Sequence, residues 1–593
     1  MTQIFQKRKE AFEQQADIFQ KKYNQWAVAR AFFFIIYGLL CFYVFQNSNE
    51  WIFLGVLVVG IVVFLWMVTK HLNIKSQRDK FRLLATLNND EILRLQKIFT
   101  RPETGEAFLN SNHFYATDLD IFGKHSIFQL LNRTHTFAGS KLLASWLQFP
   151  APYTTIMGRQ EASAELKELI DWRQDFEASA MMIEEVEKPT DKLLEWAEAS
   201  PSKTLDKPLF RYARFLPYLS IPFAIACLIG VVPIQFLLLV FLIHGWILKQ
   251  IFDELTIYLE HTNRVTGALK AYAVLCNSIA QQLFCSPSLQ ALQNQVSEAS
   301  TSIQHLVKLL ERVANRNNPI FMILVGTVSL WDLRYFYRLE QWRIQYQQQL
   351  PLWLDTVSEF EALNSLAGHT FANPTAVFPT IHQEDFCLKA IQLGHPMIRS
   401  EKRVCNSIIL EGIGKTIIIT GSNMSGKSTF QRTVGVNMVL ALMGAVVCAE
   451  AFECSMVQVF TSMRTQDSLE EDTSSFYAEL KRLKQLIDWV NQPNQSLPTL
   501  YFLDEILKGT NSKDRHDGAK ALMVQLHKTP SSGFISTHDV ELGDDFTEQG
   551  FVSNYSFSSE VINGKLIFDY TLREGVCKSF NASQLMKQIG IDM

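Results

Sequence analysis

Two apolar runs near the start of the chain restrict its fold more than any other feature. Residues 31–45 (AFFFIIYGLLCFYVF) and 51–69 (WIFLGVLVVGIVVFLWMVT) contain no Asp, Glu, Lys or Arg, and only QNSNE separates them. About 20 apolar helical residues span a bilayer core, so the pair reads as a transmembrane hairpin over about 27–45 and 51–69. Trp26, Tyr43, Trp51 and Trp66 lie near its ends, where aromatic rings favour the membrane interface. Lys21, Lys22 and Arg30 precede the pair, Lys70, Lys75 and Arg78 follow it, and the connection has no basic residue. That asymmetry puts both flanks in the cytoplasm. The competing reading is a buried hairpin in a soluble core, which would normally show a polar stripe. The first 25 residues are polar and charged, unlike the apolar segment of a cleavable signal.

A second charge-free stretch runs from Phe215 to Leu248, 34 residues. As one helix it would be about 51 Å long, too long for a core of about 30 Å. Two helices breaking near Gly230 and Pro233 would each be about 24 Å. Arg211 and Arg214 precede the stretch and Lys249 follows it. A second cytoplasm-facing hairpin, spanning or re-entrant, is expected, with a buried soluble hairpin as the alternative. Pro217, Pro222 and His244 weigh against full spanning.

Elsewhere the charge and composition suit a folded multidomain chain. Apolar residues make up 48% of its 593 positions, which excludes disorder as the overall class. The net charge of -4 excludes a globally basic nucleic-acid binder, although residues 1–115 alone carry +5. Nine scattered cysteines without a CxxC pair argue against a disulfide framework or a zinc site. Residues 84–100, 126–148, 159–171, 250–283 and 288–315 show helical spacing of apolar residues, and 335–368 reads as another helix or helix pair. From about residue 376, β-rich runs at 417–420, 500–505 and 533–538 alternate with helical segments, the pattern of an α/β domain with a mostly parallel sheet.

That last region holds the strongest motif. Gly421 to Thr429 reads GSNMSGKST, a GxxxxGK[ST] loop with TIIIT before it and a helical segment after it. The glycines let backbone N–H groups curl around phosphate oxygens, and the helix N-terminus adds positive potential. Lys427 is placed to reach the β- and γ-phosphates and Ser428 to hold Mg²⁺. Leu500–Glu505 is an apolar strand ending in two acids. Asp504 would complete the Mg²⁺ site, and Glu505 would polarise an attacking water as general base. A third β-run ends in Ser536-Thr537-His538-Asp539, where His538 could touch the γ-phosphate.

In this order and spacing, GSNMSGKST, LYFLDEILKGTN and ISTHD resemble the ATPase domain of the MutS family of mismatch-repair proteins. Leu393-Gly394-His395-Pro396, Gln458-Val459-Phe460-Thr461 with Arg464 and Asp467, and Thr473 to Leu480 extend the resemblance, as does the tail from Phe568 to Asn581-Ala582. Upstream, Asp118-Leu119, Asn132 to Thr136 and Gly139 resemble the start of the family's helical core, and Phe360 to Ala367 resembles its end. The resemblance, which covers about residues 117–593, implies an α/β P-loop, ABC-like ATPase domain over 376–593, preceded by an all-α core and lever domain over 116–375; the apolar hairpin makes residues 1–115 an N-terminal membrane region. It implies ATP and Mg²⁺ as cofactors, Asn423 near the γ-phosphate, and Ser474 and Ser475 reaching the ATP of a second subunit. It also implies a homodimer with shared sites and DNA as a partner. The hairpins add membrane lipid and an inner-membrane, multi-pass location with the ATPase in the cytoplasm.

The departures shape the functional expectation. Residues 1–115 leave no room for the family's mismatch-reading domains, and only about 18 residues follow Gly575, so the dimerisation helices look truncated. Lys508 stands where the family has Arg, in a loop that looks longer before Asp517-Gly518. Two readings compete: a membrane-anchored MutS-like ATPase that engages DNA, and the same engine acting on a protein or lipid partner. A remote third is half of an ABC transporter. It is disfavoured because at most four membrane helices precede the ATPase, and a Thr-Ser-Ser-Phe string stands where transporters carry LSGGQ.

Overall fold

The structure, a computed structural model, describes residues 1–182, 189–199, 207–213, 215–262, 266–422, 424–464, 475–493, 496–546, 549–562 and 565–577. They form two compact units: residues 1–132, 143–170 and 365–593 make one, and residues 133–142 and 171–364 the other. This cut does not follow the boundaries at 115 and 375 read from the sequence.

The first unit begins with a helical hairpin. Helices Thr2–Asn47 and Glu50–Leu95 have 46 residues each, about 69 Å at 1.5 Å per residue, so they run well beyond the apolar runs. Asn49 caps the second helix, its side chain accepting from the Trp51 amide at 3.1 Å. The distal halves turn Phe34, Leu39, Val62 and Trp66 outward, and both helices are long and apolar enough to cross a membrane. The proximal halves pair through other chemistry. Phe12 and Phe19 stack on Phe81, Arg78 lies 4.7 Å over Tyr23, and Lys9 Nζ donates to Asn89 Oδ1 at 3.0 Å. At the base Arg94 Nη2 donates to Asn132 O at 3.0 Å, and Arg399 Nε donates to Gln96 O at 2.9 Å. These bonds fasten the hairpin to the rest of its unit.

The same unit holds two sheets. β1 (Thr380–His382), β2 (Cys387–Leu393), β3 (Asn406–Glu411) and β5 (Ala451–Ser455) form a four-stranded sheet in the order β1-β5-β2-β3. β4 (Thr416–Thr420), β6 (Gln458–Ser462), β7 (Thr499–Asp504), β8 (Ser531–Thr537), β9 (Val552–Ile562) and β10 (Lys565–Glu574) form the second, in the order β10-β9-β4-β8-β7-β6. All its pairs are parallel except the edge hairpin β9–β10. β4 and β8 are buried at every residue, as strands covered on both faces must be. Leu483, Leu486, Leu522, Met523 and Leu526 of helices Ser475–Val490 and Ser512–His527 pack on Ile418, Tyr501 and Ile535. The C-terminal ends of β4, β7 and β8 therefore open side by side, where open α/β sheets bind ligands.

The second unit is helical, and several expected helices are broken there and at its borders. The run 126–148 is two helices, Ile127–Leu131 and Phe137–Gln148. The break has a tertiary cause. The amides of His135 and Thr136 donate to Glu361 Oε1 at 2.8 and 3.2 Å, and Thr136 Oγ1 donates to Oε2. Thr136 Oγ1 also accepts from the Gly139 amide at 2.9 Å, capping the second helix. Run 288–315 divides into Pro287–Gln295 and Ala299–Ala314, and 335–368 belongs to Trp331–Tyr346 and Gln349–Ala372. The stretch 215–248 forms helices Pro217–Leu228 and Gln235–Thr262, separated at the glycine and proline that the sequence singles out.

Glu361 is almost wholly buried, and burial raises its pKa. Glu361→Leu would strand three buried donors at about 1–3 kcal/mol each. We expect the full chain to lose at least about 3 kcal/mol of stability in denaturant titration. A loss below about 1 kcal/mol would refute this account of the break at 132–136.

Candidate nucleotide site

β4 ends at Thr420, and the loop that follows turns back into helix Lys427–Met443. Two glycines make the turn feasible. Gly426, at φ +107°, caps the helix. Gly421 lies at φ +154°, and a Cβ there would stand 2.8 Å from Phe557 O. Ser422 Oγ and Ser425 Oγ are buried without a hydrogen-bond partner. Lys427 Nζ donates to its own loop, to Gly421 O at 2.9 Å and Ser422 O at 3.1 Å. Burial lowers the Lys427 pKa, and Glu505 opposes that shift. Orphaned hydroxyls, a lysine folded over the loop and a helix N-terminus are donors that fit the phosphates of a nucleotide.

The acids arrive from β7. Asp504 Oδ1 accepts from Ser536 Oγ of β8, and the Glu505 amide donates to Ser536 O at 2.9 Å. Glu505 then leaves the strand with φ +49°, a sparsely populated conformation for a non-glycine residue. Its carboxylate meets three cationic or donor groups: His538 Nε2 at 2.7 Å, Lys508 Nζ at 3.0 Å and Lys427 Nζ at 3.9 Å. The hydrogen bond from His538, aided by Lys508 against the opposing effect of burial, holds the Glu505 pKa down at about 2.

Glu505 lines two clefts. One, of about 400 Å³, is lined by Gly426, Lys427, Ser428 and Thr429 together with His395, Phe557 and Tyr570. The other, of about 350 Å³, is lined by Asp504, Asp118, Glu479 and Arg482. In the first cleft, burial lowers the His395 pKa to about 4, so this ring is uncharged near neutrality. Gly421, Gly426, Lys427, Ser428 and Thr429 thus gather on one loop and helix start, with Asp504, Glu505 and His538 at the neighbouring strand ends. Asn423 and Ser474 lie outside the described residues, as do Asp467, Thr473 and the Asn581-Ala582 tail. Ser475 opens helix Ser475–Val490, and its side chain is likewise outside them.

Some contacts were not legible from the motifs. Glu479, read with the segment that reaches a second subunit, accepts from the Leu507 amide of its own chain. Asp118 accepts from Thr461 Oγ1 at 2.7 Å and from the amides of Met463 and Arg464 at 3.0 and 3.1 Å. It thereby orders the chain as it leaves β6. His516 sits 2.7 Å from Asp539 and 3.0 Å from Asp545, and the Asp539 bond raises its pKa. This fork ties helix Ser512–His527 to the loop carrying His538. Only the local RHDG string signals it.

The fold and the loop define a P-loop α/β domain. Residues 417–591 match the family model described as MutS domain V, which is an ATPase domain. A DNA mismatch repair protein MutS of Listeria monocytogenes is 29% identical over 262 residues, 43% of this chain and 30% of that protein. The MutS of Chloroflexus aurantiacus is 33% identical over 200 residues, 32% of this chain and 20% of that protein. Residues 417–591 are thus similar to the ATPase domain of MutS-family proteins. The matches span about a third or less of the length of these relatives.

Glu505→Gln should retain nucleotide binding and lose hydrolysis by about 10²–10⁴-fold, the usual worth of a general base. Turnover near wild type would exclude Glu505 from that role. The pH dependence has a definite sign. A carboxyl depressed to about 2 stays ionised, and any stabilisation from its ion pairs persists, until the pH falls through that value. Glu505 protonation should therefore set no acid limb in ATPase rates between about pH 5 and 8. Lys508→Met should raise the Glu505 pKa, read directly by carboxyl NMR.

Proposed function

We propose that the chain is a membrane-anchored, Mg²⁺-dependent ATP hydrolase of MutS type that acts on DNA as a homodimer. The observation that carries the hydrolase reading is the Glu505 carboxylate, set at the end of β7 within reach of both Lys427 and His538. Lys427 exchanges its contacts with Gly421 O and Ser422 O for the β- and γ-phosphates. Glu505 orients the attacking water, and His538 holds Glu505 while meeting the γ-phosphate. Ser428 and Asp504 would hold Mg²⁺, and the ion would supply charge neutralisation at the phosphates. Asn423 contacts the γ-phosphate, and Ser474 and Ser475 reach the nucleotide of the second subunit.

Two exposed apolar helix halves beyond a polar, cross-linked base support the anchor. Under this reading the tip of the hairpin lies outside the cytoplasm. A cysteine at Asn47 or Ser48 should react with an impermeant thiol reagent on intact cells. Labelling only after lysis would overturn the topology.

DNA enters by likeness to proteins named for mismatch repair. Residues 2–95 form a helical hairpin, and we expect contacts to DNA backbone and shape without a preference for mismatches. Each phosphate contact releases counterions, so affinity should fall steeply with salt. Titration of homoduplex, mismatched and branched DNA at low and high salt tests this. A clear mismatch preference would refute it. No binding at low salt would favour the second reading, a protein or lipid partner. That reading draws support from the basic run Lys70, Lys75, Arg78, Lys80 and Arg82 beside the apolar segment.

A further inference from the structure

The helical unit carries an apolar element that sequence periodicity does not reveal. Residues 317–331, NNPIFMILVGTVSLW, contain no charged side chain. Arg316 Nε and Asp332 Oδ2, 3.6 Å apart and nearly buried, close the neck of this excursion. Its tip exposes Ile320 (69%) and Ile323 (61%). Two hydrogen bonds attach it to the pair of apolar helices. Ser220 Oγ of Pro217–Leu228 donates to Val328 O at 2.9 Å. His244 Nδ1 of Gln235–Thr262 lies 2.8 Å from Thr327 O; a carbonyl only accepts, so Nδ1 carries the proton.

From these observations we propose that residues 215–246 and 317–331 form one wedge that inserts into a single leaflet of a lipid bilayer. This deepens the membrane reading above. The depth follows from burial. Pro217–Leu228 is about 18 Å long, as is Gln235–Trp246, against about 15 Å for half a bilayer core. Beyond Trp246, Ile247, Ile251 and Leu255 are buried in the protein's own core. The second helix is therefore long enough to cross a membrane, but only its first half is available to lipid. The connecting turn is the deepest point, with Leu228 and Val231 each 72% exposed.

Acyl chains offer no hydrogen bonds, and the amides of residues 229–232 in the wedge's turn are paired internally. At the turn, the amides of Ile229, Gly230, Val231 and Val232 donate to Ile225, Cys227, Ala226 and Ala226 carbonyls at 2.9–3.2 Å, and Pro233 has no N–H. In the third element Asn318 Oδ1 accepts from the Ile320 and Phe321 amides. The π-helical turn Met322–Gly326 is followed by carbonyls that Ser220 and His244 satisfy. Tyr218 and Trp246 are exposed at the base, where interfacial aromatics belong. A water-facing loop would need none of this internal satisfaction. A second copy of the chain is the competing occupant.

The test places a fluorescent amino acid at Val231, Ile323 or, as a water-facing control, the exposed Leu283 of the full chain in liposomes. Circular dichroism verifies the fold of each variant. Acyl-chain spin labels should quench positions 231 and 323 several-fold more than 283, and iodide on either side should quench only 283. Iodide quenching at 231 and 323 equal to that at 283 would overturn the wedge. So would protection from both quenchers with cross-linking between copies, which would identify a second chain as the occupant. Quenching of 231 by iodide from the far side would show a span and overturn the single-leaflet depth. Thiol labelling at Asn47 is read separately. If it fails while 231 and 323 are lipid-quenched, the first hairpin's topology falls and the wedge stands.

Discussion

The carboxylate of Glu505 is where three distant parts of the sequence become one site. Lys427 comes from the loop after β4, Lys508 from the turn after β7, and His538 from the end of β8. A half-buried carboxylate is stable as an anion only if donors replace the water it has lost, and here they do. The same strand ends are locked from behind. Ser536 serves both acids, donating from its hydroxyl to Asp504 and accepting at its carbonyl from the Glu505 amide, and Gln431 Nε2 of the helix after the loop donates to Leu503 O at 3.2 Å. A shift of any one of β4, β7 or β8 would move the charges that define the site.

The apolar part of the chain follows a different constraint. Water leaves no cost for an exposed carbonyl, whereas lipid does. Under the proposed membrane reading the long hairpin meets this with unbroken helices; Lys9 joins its two helices, and Arg94 and Arg399 fasten its base to the rest of its unit. In the proposed wedge the turn amides fold back on preceding carbonyls, and Thr327 O and Val328 O take side-chain donors. The base of the first hairpin is held by hydrogen bonds to backbone carbonyls rather than by exposed ion pairs, which contribute little.

The legible and illegible parts of the chain divide along physical lines. The loop at 421–429 and the acids at 504 and 505 could be placed because phosphate and metal chemistry demands those residue types at fixed spacing. The first hairpin was legible because two charge-free apolar runs flank a short polar connection, although its helices extend beyond those runs to 46 residues each. The break at 132–136 was not, since its cause, Glu361, lies 225 and 226 positions away, and local spacing argues for a continuous helix. The 317–331 excursion escaped notice because 15 residues are too few to cross a bilayer and too irregular for a 3.6-residue period. The roles of Lys508 and His516 depend on which carboxylates the fold brings to them.

The clamp on Glu505 also bears on how fast such a site can work. General-base efficiency is greatest when the pKa lies near the operating pH. A carboxylate held at about 2 is a weak proton acceptor, although it remains a good hydrogen-bond acceptor. Under the proposed reading, Glu505 as held here orients the attacking water and becomes a full general base only when that clamp is relieved. Stronger basicity requires that Lys508 or His538 be drawn away. Lys508 is the better candidate for release, because half of its side chain is exposed, whereas His538 is attached to a loop fastened by the Asp539–His516 fork. Conformational change in the 505–511 turn would then alter the chemistry directly, by removing one positive charge from the carboxylate.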